Sequence, residues 1–243
     1  MSSVDPLQRC FRLTLAYDGT NYFGWQRQPR HPSVQAAVEK AICAITGDKQ
    51  THAWASSRTD TGVHASAQVV HFDTHAQRPQ SAWVRGVNAL LPRAVVVRWS
   101  AEVGDDFHAR YLACERQYRY ILHNTPTRPA MLTGRVGWFH PPLDAARMAA
   151  AAECLVGTHD FSAFRVLGTP VRTAVRALYE ARVTREGNMV YIDIRAQGFL
   201  YRMARMIAGT LIRVGLGKIS PDNVACILAS RDSMRGGPTA PAQ

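Results

Sequence analysis

Apolar residues occupy every second position of Phe11–Tyr17 (FRLTLAY), the period of a half-buried strand. Asp18, Gly19, Thr20 and Asn21 close it with turn-forming types. From Val34 the period changes. Val34, Ala37, Val38, Ala41, Ile42 and Ile45 keep the i, i+3, i+4 spacing of one helix face, opened by Pro32-Ser33 and stopped by Gly47. Strands are predicted at Ala67–Phe72 and Val95–Val103, with a short helix over Ala82–Leu90 between them. The stretch Asp105–Arg110 reads as a junction.

Beyond it, Cys114–Leu122 alternates Gln117, Arg119 and Ile121 with Tyr118, Tyr120 and Leu122, again the strand period. Leu143–Val156 predicts a helix with Met148, Ala151, Ala152 and Leu155 on its apolar face. Ala174–Thr184 and Met189–Ala196 read as a strand pair joined at Glu186-Gly187-Asn188. Met203, Met206, Ile207, Thr210, Leu211 and Val214 share one face of a helix predicted over Phe199–Val214, and Pro221–Ala229 adds a short one. Each half thus mixes strands with one long amphipathic helix. The fold class expected is α+β: two similar subdomains, 1–108 and 109–243, with mainly antiparallel sheets backed by helices and the active-site cleft between them.

Composition narrows the function. The chain has 243 residues and a formal net charge of +11, with a pI near 10.0. Only Lys40, Lys49 and Lys218 are lysines, so arginine carries nearly all of the positive charge. Arginine's planar fork suits phosphates and stacked bases, which favours nucleic acid as a partner; coding bias and simple solubility account for the same composition. No apolar run approaches the ~20 residues of a membrane span, and Met1–Arg9 has no apolar signal core, so a cytoplasmic protein without membrane contact is expected. The five cysteines are scattered without a paired motif, and the nine histidines are equally dispersed. Neither a disulfide framework nor a structural metal is expected.

Three segments carry candidate chemistry, each open to a plainer account. Ser57–Ala65 (SRTDTGVHA) places Asp60 among small residues ahead of Gly62, as an exposed catalytic carboxylate or as an ordinary Asx turn. Glu115–Tyr120 interleaves arginine with tyrosine, which fits base stacking with phosphate contact, or core tyrosines with solvated arginines opposite. Arg202 and Arg205 stand near a predicted helix N-terminus, where cations are unfavourable unless an anion answers them. A snorkelling helix-end arginine is the alternative.

Together these segments resemble the TruA family of tRNA pseudouridine synthases. The match runs from Tyr17-Asp18-Gly19-Thr20 and Gly24-Trp25-Gln26 through Arg58-Thr59-Asp60 to Gly209-Thr210-Leu211, with Asp160-Phe161, Phe164 and Gly237-Pro238-Thr239-Ala240-Pro241 also shared. The resemblance implies conversion of uridines at tRNA positions 38 to 40, in the anticodon stem-loop, to pseudouridine by a homodimer without a cofactor. It implies Asp60 as the nucleophile, Tyr118 as the active-site tyrosine and Arg205 as the arginine paired with the aspartate. Arg58 would help open the RNA and hold the base out. Arg202, from its place at the predicted helix N-terminus and not from the resemblance, is read as an RNA contact. Two departures stand out. Ser57 replaces a glycine common in relatives, and the sequence stops at Gln243 where relatives continue into a Gly-Leu-x-Leu strand that borders the site.

These groups suit the reaction. Pseudouridylation breaks C1′–N1, turns the uracil and forms C1′–C5 with no redox change or energy input. An aspartate is ionised at neutral pH, ready to attack the sugar or, in the glycal route, to take a sugar proton. A stacked base must be flipped at a cost of a few kcal/mol, which phosphate contacts and stacking on an aromatic such as Tyr118 offset. Two further functions fit the composition: a nucleoside N-glycosylase using the same carboxylate, and a noncatalytic RNA-binding module. No helix-turn-helix or zinc-finger spacing supports a DNA-binding regulator.

Overall fold

A computed structural model describes residues 8–242, which leaves most of the polar N-terminal stretch and Gln243 outside the described residues. The chain divides into two compact units, residues 1–113 and 114–243.

The first unit contains β1 (Arg9–Tyr17), α1 (Val34–Thr46), β2 (Trp54–Ala55), β3 (Ala65–Thr74), α2 (Val87–Leu90) and β4 (Val95–Val103), and its sheet runs β2-β3-β1-β4, antiparallel throughout. Phe11, Leu13, Leu15 and Tyr17 turn the buried face of β1 toward Val34, Val38, Ala41 and Ile42 of α1. Phe11, Phe72 and Trp83 form an aromatic centre with ring centroids 4.7–5.8 Å apart. α1 begins and ends where its capping residues require: Ser33 accepts from the Ala36 N–H, and Gly47 takes a left-handed φ of 80°. The helix expected at Ala82–Leu90 is a π-turn, Ala82–Gly86, running into α2.

The second unit contains β5 (Arg116–Asn124), β6 (Gly137–Phe139), α3 (Ala145–Glu153), β7 (Gly157–Asp160), β8 (Val175–Glu186), β9 (Met189–Ala196), α4 (Met203–Gly215) and α5 (Asp222–Ser230). Its sheet runs β6-β5-β9-β8-β7 and is antiparallel except for the β5–β6 pair. Val190, Ile192 and Ile194 of β9 meet Met203, Ile207 and Leu211 of α4 in one core with Met148, Phe161 and Phe164. Both units are therefore α+β, each a largely antiparallel sheet backed by helices.

One boundary differs from expectation in a way that matters. α4 starts at Met203, not Phe199, because Arg202 takes a left-handed conformation with φ 60°. A β-carbon is uncomfortable there, at roughly 1 kcal/mol, so residues 199–202 form a tight entry turn that the apolar spacing alone disguises as helix.

Candidate active site

Asp60 lies on the loop between β2 and β3. Val63 N donates to Asp60 O at 3.1 Å, closing a four-residue turn whose third position, Gly62, has φ 79°. That is the geometry of a type II turn, which glycine supplies at no steric cost. Asp60 is partly exposed and Arg58 exposed.

The loop is held from below by a second loop, residues 18–25. Trp25 N donates to Thr59 O at 3.0 Å and Gly62 N to Tyr22 O at 3.2 Å. Tyr17 Oη and Thr59 Oγ1 lie 2.9 Å apart, and Gly19 N donates to His64 Nδ1 at 3.1 Å. The approach is close enough to require glycine twice. A β-carbon on Gly24, itself at φ +85°, would sit 2.5 Å from Thr59 O, and one on Gly19 would sit 2.1 Å from Val63 O. The separate segments Tyr17–Thr20, Gly24–Gln26 and Arg58–His64 are thus one packed structure.

Two buried polar residues, which the α1 pattern passed over, tie α1 to Arg27 just after that loop and to residues 52–53. Gln35 accepts from Arg27 N at 2.9 Å and donates to Glu39 at 3.0 Å. Glu39 also accepts from Ala53 N, lies 2.8 Å from His52 Nδ1 and pairs with Arg27 at 3.1 Å. Their signal in the sequence was a polar pair one helical turn apart on an otherwise apolar face.

In the second unit, Tyr118 lies on β5 opposite Ile194, on the face that turns toward the helices. Its ring meets Phe199 edge-on, with centroids 4.8 Å apart. Two residues along the same face, the Tyr120 hydroxyl is buried without a hydrogen-bond partner among the described residues. Burial pushes it up to about 12, against the opposing influence of the Arg205 charge. Arg205, in the first turn of α4, donates from Nε to Ala240 O at 2.8 Å and accepts at its own carbonyl from Ala240 N at 3.1 Å.

Residues 237–240 lie along α4 because Gly209 lets them. A β-carbon at Gly209 would sit 1.9 Å from Pro238 O, and Gly237 N donates to Thr210 Oγ1 at 2.8 Å. The Gly209-Thr210 and Gly237–Ala240 segments therefore form the bracket that aims Arg205. Arg202, exposed, lies with its guanidinium 5.0 Å from the Tyr201 ring.

The arginines of β5 divide. Arg119 forms a bidentate pair with Asp193 at 2.7 and 3.0 Å, and Asp193 is 1% exposed. Arg119 is raised above its ordinary value chiefly by that hydrogen bond. Its fork is engaged within the fold, neither merely solvated nor presented to a phosphate. Asp160, Phe161 and Phe164 are also structural: Asp160 accepts from Ser162 N at 2.9 Å, and the two rings are fully buried.

The structure thus places Arg58 and Asp60 together on one loop of the first unit and Tyr118, Arg202 and Arg205 in the second. No helix is long and apolar enough to cross a membrane among the described residues. A family model described as tRNA pseudouridine synthase matches residues 14–112 and 151–243. A curated relative, tRNA pseudouridine synthase A of Aromatoleum aromaticum, is 51% identical over 220 residues, covering 90% of this chain and 83% of that protein. The protein of the same name from Thiobacillus denitrificans is 50% identical over 225 residues, 93% of this chain and 86% of its own length. That from Chromobacterium violaceum is 46% identical over 227 residues, 93% and 87% respectively.

Proposed function

The chain belongs to the tRNA pseudouridine synthase family, and from that premise we propose that it isomerises tRNA uridines at positions 38 to 40 with Asp60 as nucleophile. The Asp60 carboxylate attacks C1′, and the C1′–N1 pair leaves with the uracil. The uracil turns, C5 attacks C1′ and expels the carboxylate, the C5 proton departs and N1 takes one up. Atoms and charge balance without an external reagent.

Tyr118 is the ring on which the uracil stacks, its hydroxyl serving the C5 proton. Arg205 is the cation for the carboxylate. Arg58 holds the flipped base out, and Arg202 contacts the RNA. The observation that supports Asp60 most is that it stands partly exposed on a turn closed by Val63 N and Gly62 and held by Trp25 N and Tyr22 O of the 18–25 loop. The protein acts as a homodimer in the cytoplasm; sedimentation as a monomer would rule the dimer out.

Unmodified tRNA incubated with the protein tests the reaction itself. A pseudouridine-specific chemical probe should mark the anticodon stem-loop while the tRNA mass stays unchanged. Free uracil and an abasic site would instead make the protein a glycosylase, and unchanged tRNA bound tightly would make it a binding module.

A further inference from the structure

Arg116 and Arg176 converge at the start of the α4 entry turn. Both belong to the second unit, Arg116 at the first position of β5 and Arg176 near the start of β8. Arg116 donates from Nη1 to Gln197 O at 3.0 Å. Arg176 donates from the same nitrogen, Nη1, to Thr173 O at 3.0 Å and Val175 O at 2.6 Å. Between the two side chains lies Gly198. The position a β-carbon would take on it is 3.8 Å from Arg116 Nη1 and 3.9 Å from Arg176 Nε. A bare glycine surface thus faces two guanidinium groups whose orientations are set by main-chain carbonyls.

Two features of Arg176 single it out. It is partly buried, and no carboxylate among the described residues pairs with it. Its ordinary value is lowered, first by burial and then by the Arg116 charge beside it. The bonds that position Arg176 use only Nη1, so its Nε–Nη2 edge keeps the fork geometry that grips an oxyanion through two parallel hydrogen bonds. Like charges set side by side and partly desolvated are unfavourable, and an anion between them reverses the sign of that interaction.

The position bears on the reaction. Arg116 precedes Tyr118 by two residues on the same face of β5, about 7 Å along the strand. Gly198 is followed directly by Phe199, whose ring touches Tyr118. A phosphate at the arginine pair would be one nucleotide's reach from a base stacked on Tyr118.

We infer that Arg116, Arg176 and the open face of Gly198 form a binding site for a backbone phosphodiester of the tRNA next to the target uridine. The inference rests on tRNA being the substrate. It predicts an interaction made by charge and fork geometry, independent of base identity.

The test is the affinity of the protein for unmodified tRNA across ~50–200 mM salt. Arg176→Ala should weaken binding about tenfold at low salt and reduce the slope of log affinity against log salt by ~0.7–0.9, the signature of one phosphate no longer neutralised. Arg176→Gln keeps an amide donor for the Thr173 and Val175 carbonyls and should show the same weakening with an unchanged melting temperature. Arg176→Lys should recover the slope but not the full affinity, since a point charge lacks the fork. Salt profiles of Arg176→Ala and Arg176→Gln that superimpose on wild type would overturn the site, as would a weakening that does not vary with salt. A flat salt profile for wild type would instead sink tRNA as the substrate, a different failure.

Discussion

Tyr120 illustrates how a single group can be costly where it stands. Its hydroxyl is buried without a partner among the described residues, beside the charge of Arg205, and an unsatisfied buried hydroxyl costs roughly 1–3 kcal/mol. Tyr120→Phe removes only that oxygen, so the variant should melt at a higher temperature, by about 1 kcal/mol in stability. A lower melting temperature in a thermal scan would mean the hydroxyl is satisfied after all. The raised value of Tyr120 also has a consequence with a definite sign. The unfolded tyrosine ionises near 10.0 while the folded one holds its proton to about 12, so stability falls as pH rises through that window, and Tyr120→Phe should blunt the fall. Gly24 is the opposite case, a residue that nothing else can replace. Its φ of +85° and the 2.5 Å approach of a β-carbon to Thr59 O make Gly24→Ala strained twice over, and a destabilisation of about 2 kcal/mol or more is expected. The Asp60 loop rests on that approach, so turnover should drop in the same variant. A Gly24→Ala protein with wild-type melting and turnover would show that the two loops are not coupled.

Among elements, β3 carries a histidine latch that gives the first unit an acid limit. His71 is buried, accepts from Ala109 N at 3.2 Å on Nδ1, and bonds the Trp54 backbone as well. The groups facing it are His108, whose ring is 4.6 Å away, Asp73 on its own strand, and His52. Burial, then His108, lowers His71 below its ordinary 6.5, with Asp73 opposing. The unfolded chain therefore takes up a proton near 6.5 that the folded chain refuses, and stability falls as pH drops below that value. A His71→Gln variant should lose that part of the acid dependence in melts from neutral to mildly acidic pH; an unchanged dependence would place it elsewhere.

Elements were also where the sequence read best and worst. The alternation of β1 and the caps of α1 were legible because local chemistry determines them: Ser33 and Gly47 act on their own helix. β6 and β7 escaped because strands of three and four residues are too short to show a period. The start of α4 was misjudged because Phe199 and Leu200 continue an apolar spacing that the left-handed Arg202 interrupts. The candidate loop was visible as a motif, but its support by Gly19 and Gly24 was not, since packing between distant segments leaves no local pattern.

At the scale of the whole molecule, binding and chemistry separate. The field that meets tRNA comes from 29 lysines and arginines against 18 acidic residues, and such a field steers and holds a polyanion whatever a single side chain does. Asp60 is one of those acids, on a turn closed by the Val63 N–H and Gly62. Asp60→Ala is therefore the direct test of its role as nucleophile, read as pseudouridine formed in unmodified tRNA beside tRNA affinity and melting temperature on the same preparation. The expected result is no detectable pseudouridine, with affinity within about tenfold of wild type and the thermal transition in place. Pseudouridine formed at the wild-type rate, or activity abolished only because the protein no longer folds, would contradict it.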